Sequence, residues 1–220
     1  MNKIICIGAG GSTNVIIDII KEHSDNLIVG ILDDDEGLHQ KNFGGFNIFG
    51  NINDIMNLCP SQYDEAIICV GATKDVENRK YIFNLLNSNN INLGSAISKN
   101  AILPNNILKC KALIVMSGVT INTGCRIGAN VFINTGCIVE HDCIVEDNVF
   151  LSPGVILSGN VRVKRNSFVG SGSILSTGVE IGENVTLGAG SVVVRDIPNN
   201  VTATGNPAHK NIKNKKIMEK

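Results

Sequence analysis

The sequence predicts an α/β unit, one half of a doubly wound sheet, followed by a parallel β-helix built from hexapeptide repeats. Three observations carry that expectation. From Val115 to Val193 an aliphatic residue stands at every sixth place, beginning Val115, Ile121, Ile127, Ile133 and ending Leu187, Val193. Two residues before each runs a second small or apolar row, from Leu113 and Val119 through Cys125 and Cys143 to Ser191. Three residues after each comes Gly, Asn or Asp, from Gly118 and Gly124 through Asn130 and Asp142 to Gly190 and Asp196. These are the residue types that adopt left-handed backbone angles at low cost. Inward side chains at i and i−2 define a short strand, and the Gly, Asn or Asp turns the corner. Three such hexads close a triangular coil of about eighteen residues, and coils stack at the strand spacing of ~4.8 Å.

The chain before the coil reads in order as a mononucleotide fold. Lys3–Ile7 is a short apolar strand, followed by Gly8-Ala-Gly-Gly-Ser-Thr13 and a helix over Val15–Lys21 with Asn14 as its cap. Strand, glycine loop and helix place backbone N–H groups where a phosphate can be held. A dinucleotide fingerprint needs a third glycine where Thr13 stands. Leu27–Leu32 is the second strand and ends in Asp33-Asp-Asp35, where a carboxylate can grip ribose hydroxyls or simply be solvated. Asp54–Leu58 is a short helix, Ala66–Val70 a third strand ending in Gly71, and Lys74–Leu86 an amphipathic helix. Residues 1–88 thus supply half of a doubly wound sheet, which suits one nucleotide better than NAD; a tight packing turn is the plain alternative for the loop. Residues 89–112 read as a linker and first irregular coil: Ile97 with Asn100 and Leu103 with Asn106 keep the hexad phase, and Lys109 breaks it. Residues 113–197 form the β-helix and 198–220 a C-terminal extension whose basic tail, Lys210 to Lys220, reads as a solvated or frayed helix.

Bulk properties exclude several classes of function. The 220 residues carry 20 acidic and 19 basic side chains, a net charge of −1, so no basic field points to nucleic acid or an anionic membrane. The apolar runs are too short for a membrane span, and the opening MNKIICIGAGG does not read as a signal peptide. A cytoplasmic protein is expected. The seven cysteines include no CxxC pair, and Cys125 and Cys143 fall at inward positions of adjacent coils, where a thiol acts as a small hydrophobe.

The β-helix holds one histidine, His141, two residues after Val139 and therefore on an outward corner. A zinc site in such a helix needs several histidines, so no metal is expected. The phrase Asn134-Thr-Gly-Cys-Ile-Val-Glu-His-Asp-Cys143, with Ser152-Pro-Gly, Ser158-Gly-Asn160 and the Gly8-Ala-Gly-Gly loop, resembles the sialic acid O-acetyltransferase family of hexapeptide-repeat acetyltransferases. That family includes N-acetyltransferases of nucleotide-linked 4-amino sugars of the bacillosamine and perosamine type. The resemblance runs from Lys3 to Ala208 and implies a left-handed helix, with His141 as catalytic base and Asp142 raising its basicity. It also implies a homotrimer with acetyl-CoA in the groove between two helices, against turn residues Gly159, Ser171 and Ala189, the last two following Gly170 and Gly188. Two departures stand out. Ser12 and Thr13 replace the His-Gly of the family's usual loop, and Phe150 occupies a place where the family often has a second histidine, which bears on the acetyl-CoA contacts.

The residue chemistry agrees with that resemblance. Acetyl transfer from a thioester needs a nucleophile stripped of its proton, and a neutral imidazole with pKa ~6.5 can take it. A neighbouring carboxylate orients the ring and stabilises the imidazolium, although Asp142 also stands where a corner residue is required. A backbone N–H near Gly159 can serve the oxyanion. No insertion interrupts the hexads, so the acceptor falls to the N-terminal unit, with Gly10, Gly11, Ser12, Asp33, Asp34 and Gly71 lining a site for a sugar nucleotide. The expected activity is N-acetylation of a UDP- or GDP-linked amino sugar in surface-glycan synthesis, without a metal or a covalent enzyme intermediate. O-acetylation of sialic acid or a related sugar, and a non-catalytic trimeric nucleotide-binding scaffold, are the alternatives.

Overall fold

The computed structural model describes residues 1–59, 61–73, 76–105, 107 and 110–210. Its first part contains β1 (Asn2–Ile7), α1 (Gly11–Lys21), β2 (Asn26–Leu32), β3 (Asn42–Phe43), β4 (Phe46–Gly50), β5 (Glu65–Ile68) and α2 (Glu77–Ser88). The sheet order is β3-β4-β2-β1-β5, parallel apart from the antiparallel edge strand β3. The half doubly wound sheet is therefore present, with three differences from expectation. The β3–β4 hairpin was not expected, although Phe43-Gly-Gly-Phe46 carries its signal: Gly44 and Gly45 turn at φ +60° and +92°. Helix α1 begins at Gly11 with Gly10 as its N-cap, so Asn14 lies inside the first turn and is not the cap. Thr13 makes that early start possible, because its Oγ1 donates to the Gly8 carbonyl at 2.8 Å and its side chain is fully buried. The expected short helix is a 3-10 helix over Ile52–Asn57. Lys74, the expected start of the second helix, lies outside the described residues, as do Asn106, Lys109 and the tail beyond Lys210.

The second part is the expected left-handed β-helix. Strands of two residues stack in parallel at an offset of eighteen, as in Ile114↔Phe132↔Phe150↔Phe168↔Thr186, and form three flat faces. Before them, β6 (Ala96–Ile97) pairs with Ile114–Val115 and Ile102 bridges Thr120. Thirteen of the fourteen corner residues take φ between +54° and +76°; Asp196 does not, and its carboxylate instead accepts the Glu180 N–H at 2.8 Å as the last coil ends. Apart from the partly buried Ile127, the inward rows are buried along the core, with Cys125, Cys137 and Cys143 in it as free thiols.

The outward side chains differ from face to face. One face presents Phe132, Phe150 and Phe168 as a ladder with ring centroids 4.6 and 5.5 Å apart, and the α1 isoleucines 16, 17, 19 and 20 pack in the same cluster. This face carries the N-terminal unit. Phe150, where the resemblance sets a second histidine, is 3% exposed in the same cluster as the α1 isoleucines, so its face of the prism is covered by protein. A second face is charged, with Lys164 Nζ 2.6 Å from Glu180 and Arg162 paired to Glu146. The third presents Ile138, Ile156, Ile174 and Val192, of which Ile138 and Ile174 are 36% and 41% exposed.

Phe150→Ala removes the middle ring of the ladder and is expected to cost about 3–5 kcal/mol, the usual penalty for a buried phenylalanine. Urea unfolding followed by far-UV circular dichroism measures it; a midpoint equal to the parent's would mean the ladder does not hold the two units together.

Candidate active site

The turn between strands Ile138–Val139 and Ile144–Val145 carries the only His–carboxylate contact among the described residues. Asp142 turns the corner at φ +60°, which swings its carboxylate back toward the preceding side chain. His141 Nδ1 and Asp142 Oδ2 are 2.9 Å apart. An ionised carboxylate only accepts, so Nδ1 carries the proton and Nε2 keeps its lone pair in the neutral ring. Gly124, one coil earlier at the same corner, leaves the space that the Asp142 carboxylate occupies. Gly159, one coil later, does the same for the ring: a Cβ there would stand 2.6 Å from Nε2. The imidazole thus lies against bare backbone, with Nε2 toward Gly159.

The electrostatics favour the charged ring. The hydrogen bond to Asp142 raises the His141 pKa above the ordinary imidazole value; desolvation opposes it, and the charges of Asp142, Glu140 and Cys125 add smaller raises. Sequence reasoning passed over Glu140, whose Oε2 accepts Asn122 Nδ2 at 2.8 Å and faces the His141 backbone N–H at 3.4 Å. The side chains of His141 and Asp142 are 54% and 58% exposed, so within one chain the pair stands on an open, convex edge.

His141, Asp142 and Gly159 meet as expected. Ser171 and Ala189 do not join them within one chain. They share the hexad register of His141, but a given corner recurs only at every third hexad. Ser171 and Ala189 stand at the other edge of the aliphatic face, after strands Phe168–Val169 and Thr186–Leu187. Gly170 and Gly188 have a packing reason of their own there. A Cβ at 170 would stand 2.7 Å from the Leu187 carbonyl oxygen, and one at 188 would meet Thr204.

The second set of residues gathers where β1, β2 and β5 end. Ser12 Oγ donates to the Cys69 carbonyl at 2.7 Å, and a Cβ on Gly71 would lie 3.3 Å from that oxygen, so Ser12 and Gly71 are neighbours. Gly10 and Gly11 are exposed at the start of α1, where no side chain caps the helix and no acidic residue sits in the first turn. Such an end attracts an anion. Asp33 is present but engaged: its Oδ2 accepts the Ala9 N–H at 2.6 Å and its Oδ1 the Asp35 N–H at 2.8 Å. Asp34 Oδ1 accepts the Ile52 N–H at 2.9 Å. Both carboxylates therefore shape the loops first, and any ribose contact has to share their oxygens. His39, which sequence reasoning did not single out, places Nε2 2.8 Å from the Asp33 carbonyl oxygen on the same rim. A cavity of about 840 Å3 between the opposite ends of β2 and β5 and the first coil contains none of these residues. No group of three or more His, Cys, Asp or Glu side chains suited to a metal occurs among the described residues.

Residues 3–86 match the PglD N-terminal domain, and residues 124–159 and 160–195 match the bacterial transferase hexapeptide (six repeats). A variant of perosamine N-acetyltransferase from Caulobacter crescentus, solved with CoA and GDP-perosamine, superposes with a TM-score of 0.86 at 28% identity, over 96% of this chain and 97% of that one. The acetyltransferase domain of PglB from Neisseria gonorrhoeae, solved with acetyl coenzyme A, gives a TM-score of 0.86 at 29% identity, over 96% of this chain and 100% of that one. Among curated proteins none matches.

Asp142→Asn keeps a residue type that already turns this corner one coil later, at Asn160, and removes only the charge. Because the carboxylate favours the imidazolium, its loss is expected to lower the His141 pKa. NMR titration of the ring measures it, and an unchanged titration would dismiss Asp142 as its electrostatic partner.

Proposed function

Because the chain belongs to the hexapeptide-repeat acetyltransferases that carry a PglD-type N-terminal domain, we propose that it transfers acetyl from acetyl-CoA to the amino group of a UDP- or GDP-linked 4-amino-deoxysugar. The place of that reaction is the cytoplasm, and its product feeds surface-glycan synthesis. The observation that carries the reading is the His141–Asp142 pair with Nε2 held over Gly159. A neutral imidazole whose Nδ1–H is fixed on a carboxylate has one free lone pair, and that atom is the one positioned to take a proton. Acetyl-CoA supplies the acyl thioester. The chain supplies the base, the carboxylate that stabilises the imidazolium, and the bare backbone at Gly159 as the region for an oxyanion donor. The N-terminal unit holds the acceptor: the uncapped α1 end with Gly10, Gly11 and Ser12 takes the diphosphate, and the rim with Asp33, Asp34 and Gly71 takes the nucleoside. That the two relatives bind CoA with GDP-perosamine, or acetyl coenzyme A, supports this choice of substrates.

A homotrimer completes the site. The aliphatic face runs between the His141 edge and the Ser171–Ala189 edge of the same chain. Packing that face on a second copy brings the Ser171, Ala189, Gly170 and Gly188 corner of one chain toward the His141 and Gly159 corner of another. Acetyl-CoA lies in the cleft between them, and the exposed Ile138 and Ile174 give the contact its apolar area.

His141→Ala is expected to lower turnover of the best acceptor about 10²–10⁴-fold with the assembly intact. Thioester release with a panel of UDP- and GDP-linked amino sugars, and with sialic acids to detect O-acetylation, measures it; full activity in the variant would remove the base. Ile174→Glu alters a side chain already exposed in the single chain and is expected to change folding stability by no more than about 0.5 kcal/mol. Light scattering should nevertheless show a loss of trimer, together with a loss of turnover. A trimer that survives this substitution would place the interface on another face.

A further inference from the structure

Helix α2 carries a buried cation that none of the chemistry above uses. Arg79 is 2% exposed, and its Nη1 donates to the carbonyls of Ile68 and Val70 at 2.8 and 2.9 Å. Its Nη2 donates to the Ala112 carbonyl at 3.2 Å, and its guanidinium lies 5.3 Å from the centroid of the Phe132 ring. Among the described residues no carboxylate pairs with it. Burial lowers its pKa to about 10, which still leaves it charged at neutral pH. The position is costly twice over. A cation in the first turn of a helix opposes the helix dipole, and a buried charge without a counter-ion loses its hydration. Three charge-assisted hydrogen bonds and a ring face offset that cost, and all of them depend on where the guanidinium sits.

The partners belong to two different units. Ile68 ends β5, and Val70 directly precedes Gly71, the neighbour of Ser12. A Cβ on Gly8 would stand 2.5 Å from Val70 Cγ2, so the glycine loop is set by where Val70 lies. Ala112, at φ +54°, leads into the first regular strand of the β-helix, and Phe132 heads the aromatic ladder one coil on. Arg79 Nε and Asn130 Oδ1 are the two buried polar side-chain atoms without a partner among the described residues, and Asn130 turns the corner one coil below Ala112. The junction is thus built around the fork of one arginine.

We infer that Arg79 is a positioning residue for the acetyl acceptor, fixing the loop of Gly8, Ser12 and Gly71 against the coil that carries the base. The inference rests on the proposed function. It separates two roles that a merely structural residue would not separate, because the loop is tied to Arg79 while the His141 corner is not.

The test compares the full-length parent with Arg79→Met and Arg79→Lys, reading thermal stability, assembly size, and the KM for acetyl-CoA and for whichever nucleotide-linked amino sugar the parent accepts. In Arg79→Met the acceptor KM should rise about tenfold or more while the acetyl-CoA KM stays within about twofold. Arg79→Lys keeps the charge but not the fork, and should fall between the two. An acceptor KM equal to the parent's, or equal rises in both KM values, would overturn the inference. Should Arg79→Met not fold, Arg79→Lys decides by the same two outcomes. Parent turnover is read first. Its absence with every nucleotide-linked amino sugar sinks the acetyltransferase reading and this inference with it, whereas parent turnover with an unmoved acceptor KM in the variants sinks the inference alone.

Discussion

Each coil of the β-helix depends on one backbone constraint, a residue near φ +60° at every sixth place. That angle turns the chain through a corner in so few residues that the next strand begins in phase, and phase is what stacks residue i on residue i+18. The consequence is visible in the asparagine ladder. The amides of Asn130, Asn148, Asn166 and Asn184 each donate to the Oδ1 of the next corner asparagine at 2.9–3.0 Å, ending on Asn200. A one-residue slip would turn the inward valines and cysteines to solvent and break every rung. The same phase brings His141 over Gly159. The imidazole is placed by the corner rule, and the absent side chain at 159 gives it room.

Within that frame the three faces of the prism have separate tasks, assigned by the residue just before each inward aliphatic. Where that residue is Phe132, Phe150 or Phe168, the face is apolar and aromatic, and it accepts α1 with the sheet behind it. Where it is Arg126, Ile144, Arg162 or Glu180, the face is mostly charged, and Arg162 pairs with Glu146 and Glu180. Where it is Ile138, Ile156, Ile174 or Val192, the face is apolar, and among the described residues Ile138 and Ile174 stay exposed on it. Polar pins fix the first arrangement at the lower end of α1. The Glu22 carboxylate accepts the Lys99 N–H at 2.5 Å, and His23 Nε2 lies 2.9 Å from the Ile97 carbonyl oxygen.

The β-helix was almost wholly legible, because its pattern is local and repeated: thirteen of the expected corners have the expected angle. The N-terminal unit was less so, for physical reasons that differ from residue to residue. The α1 start was placed four residues late because the search was for a capping side chain, and Gly10 caps with backbone alone. The β3–β4 hairpin carried a Gly-Gly signal, but its strands are too short for alternation to show. Arg79 was legible in principle, since it shares the inward stripe of Ile82 and Leu86 at helical spacing. That a charge belongs on that stripe depends on three carbonyls distant in sequence, which no local pattern reports. Gly159 stands at the corner of His141 while Ser171 and Ala189 stand at another corner of the same chain: sixfold periodicity defines a register, and only the eighteenfold period defines a corner.

That distinction decides how His141 can work as the base of the proposed reaction. A half-exposed imidazole on a convex edge is surrounded by water, where its carboxylate partner is worth little and an attacking amine competes with solvent. Concavity has to come from elsewhere, and one prism has none at its corners. In the proposed trimer the adjoining apolar face supplies it, because a face that buries itself on a second copy turns the convex edge of His141 into one wall of a cleft. The opposite wall is then the other edge of the same face on the neighbouring chain, which is where Ser171 and Ala189 stand. On the proposed reading, the uncovered isoleucines and the exposed histidine are one arrangement: the first exists so that the second is not left in open water.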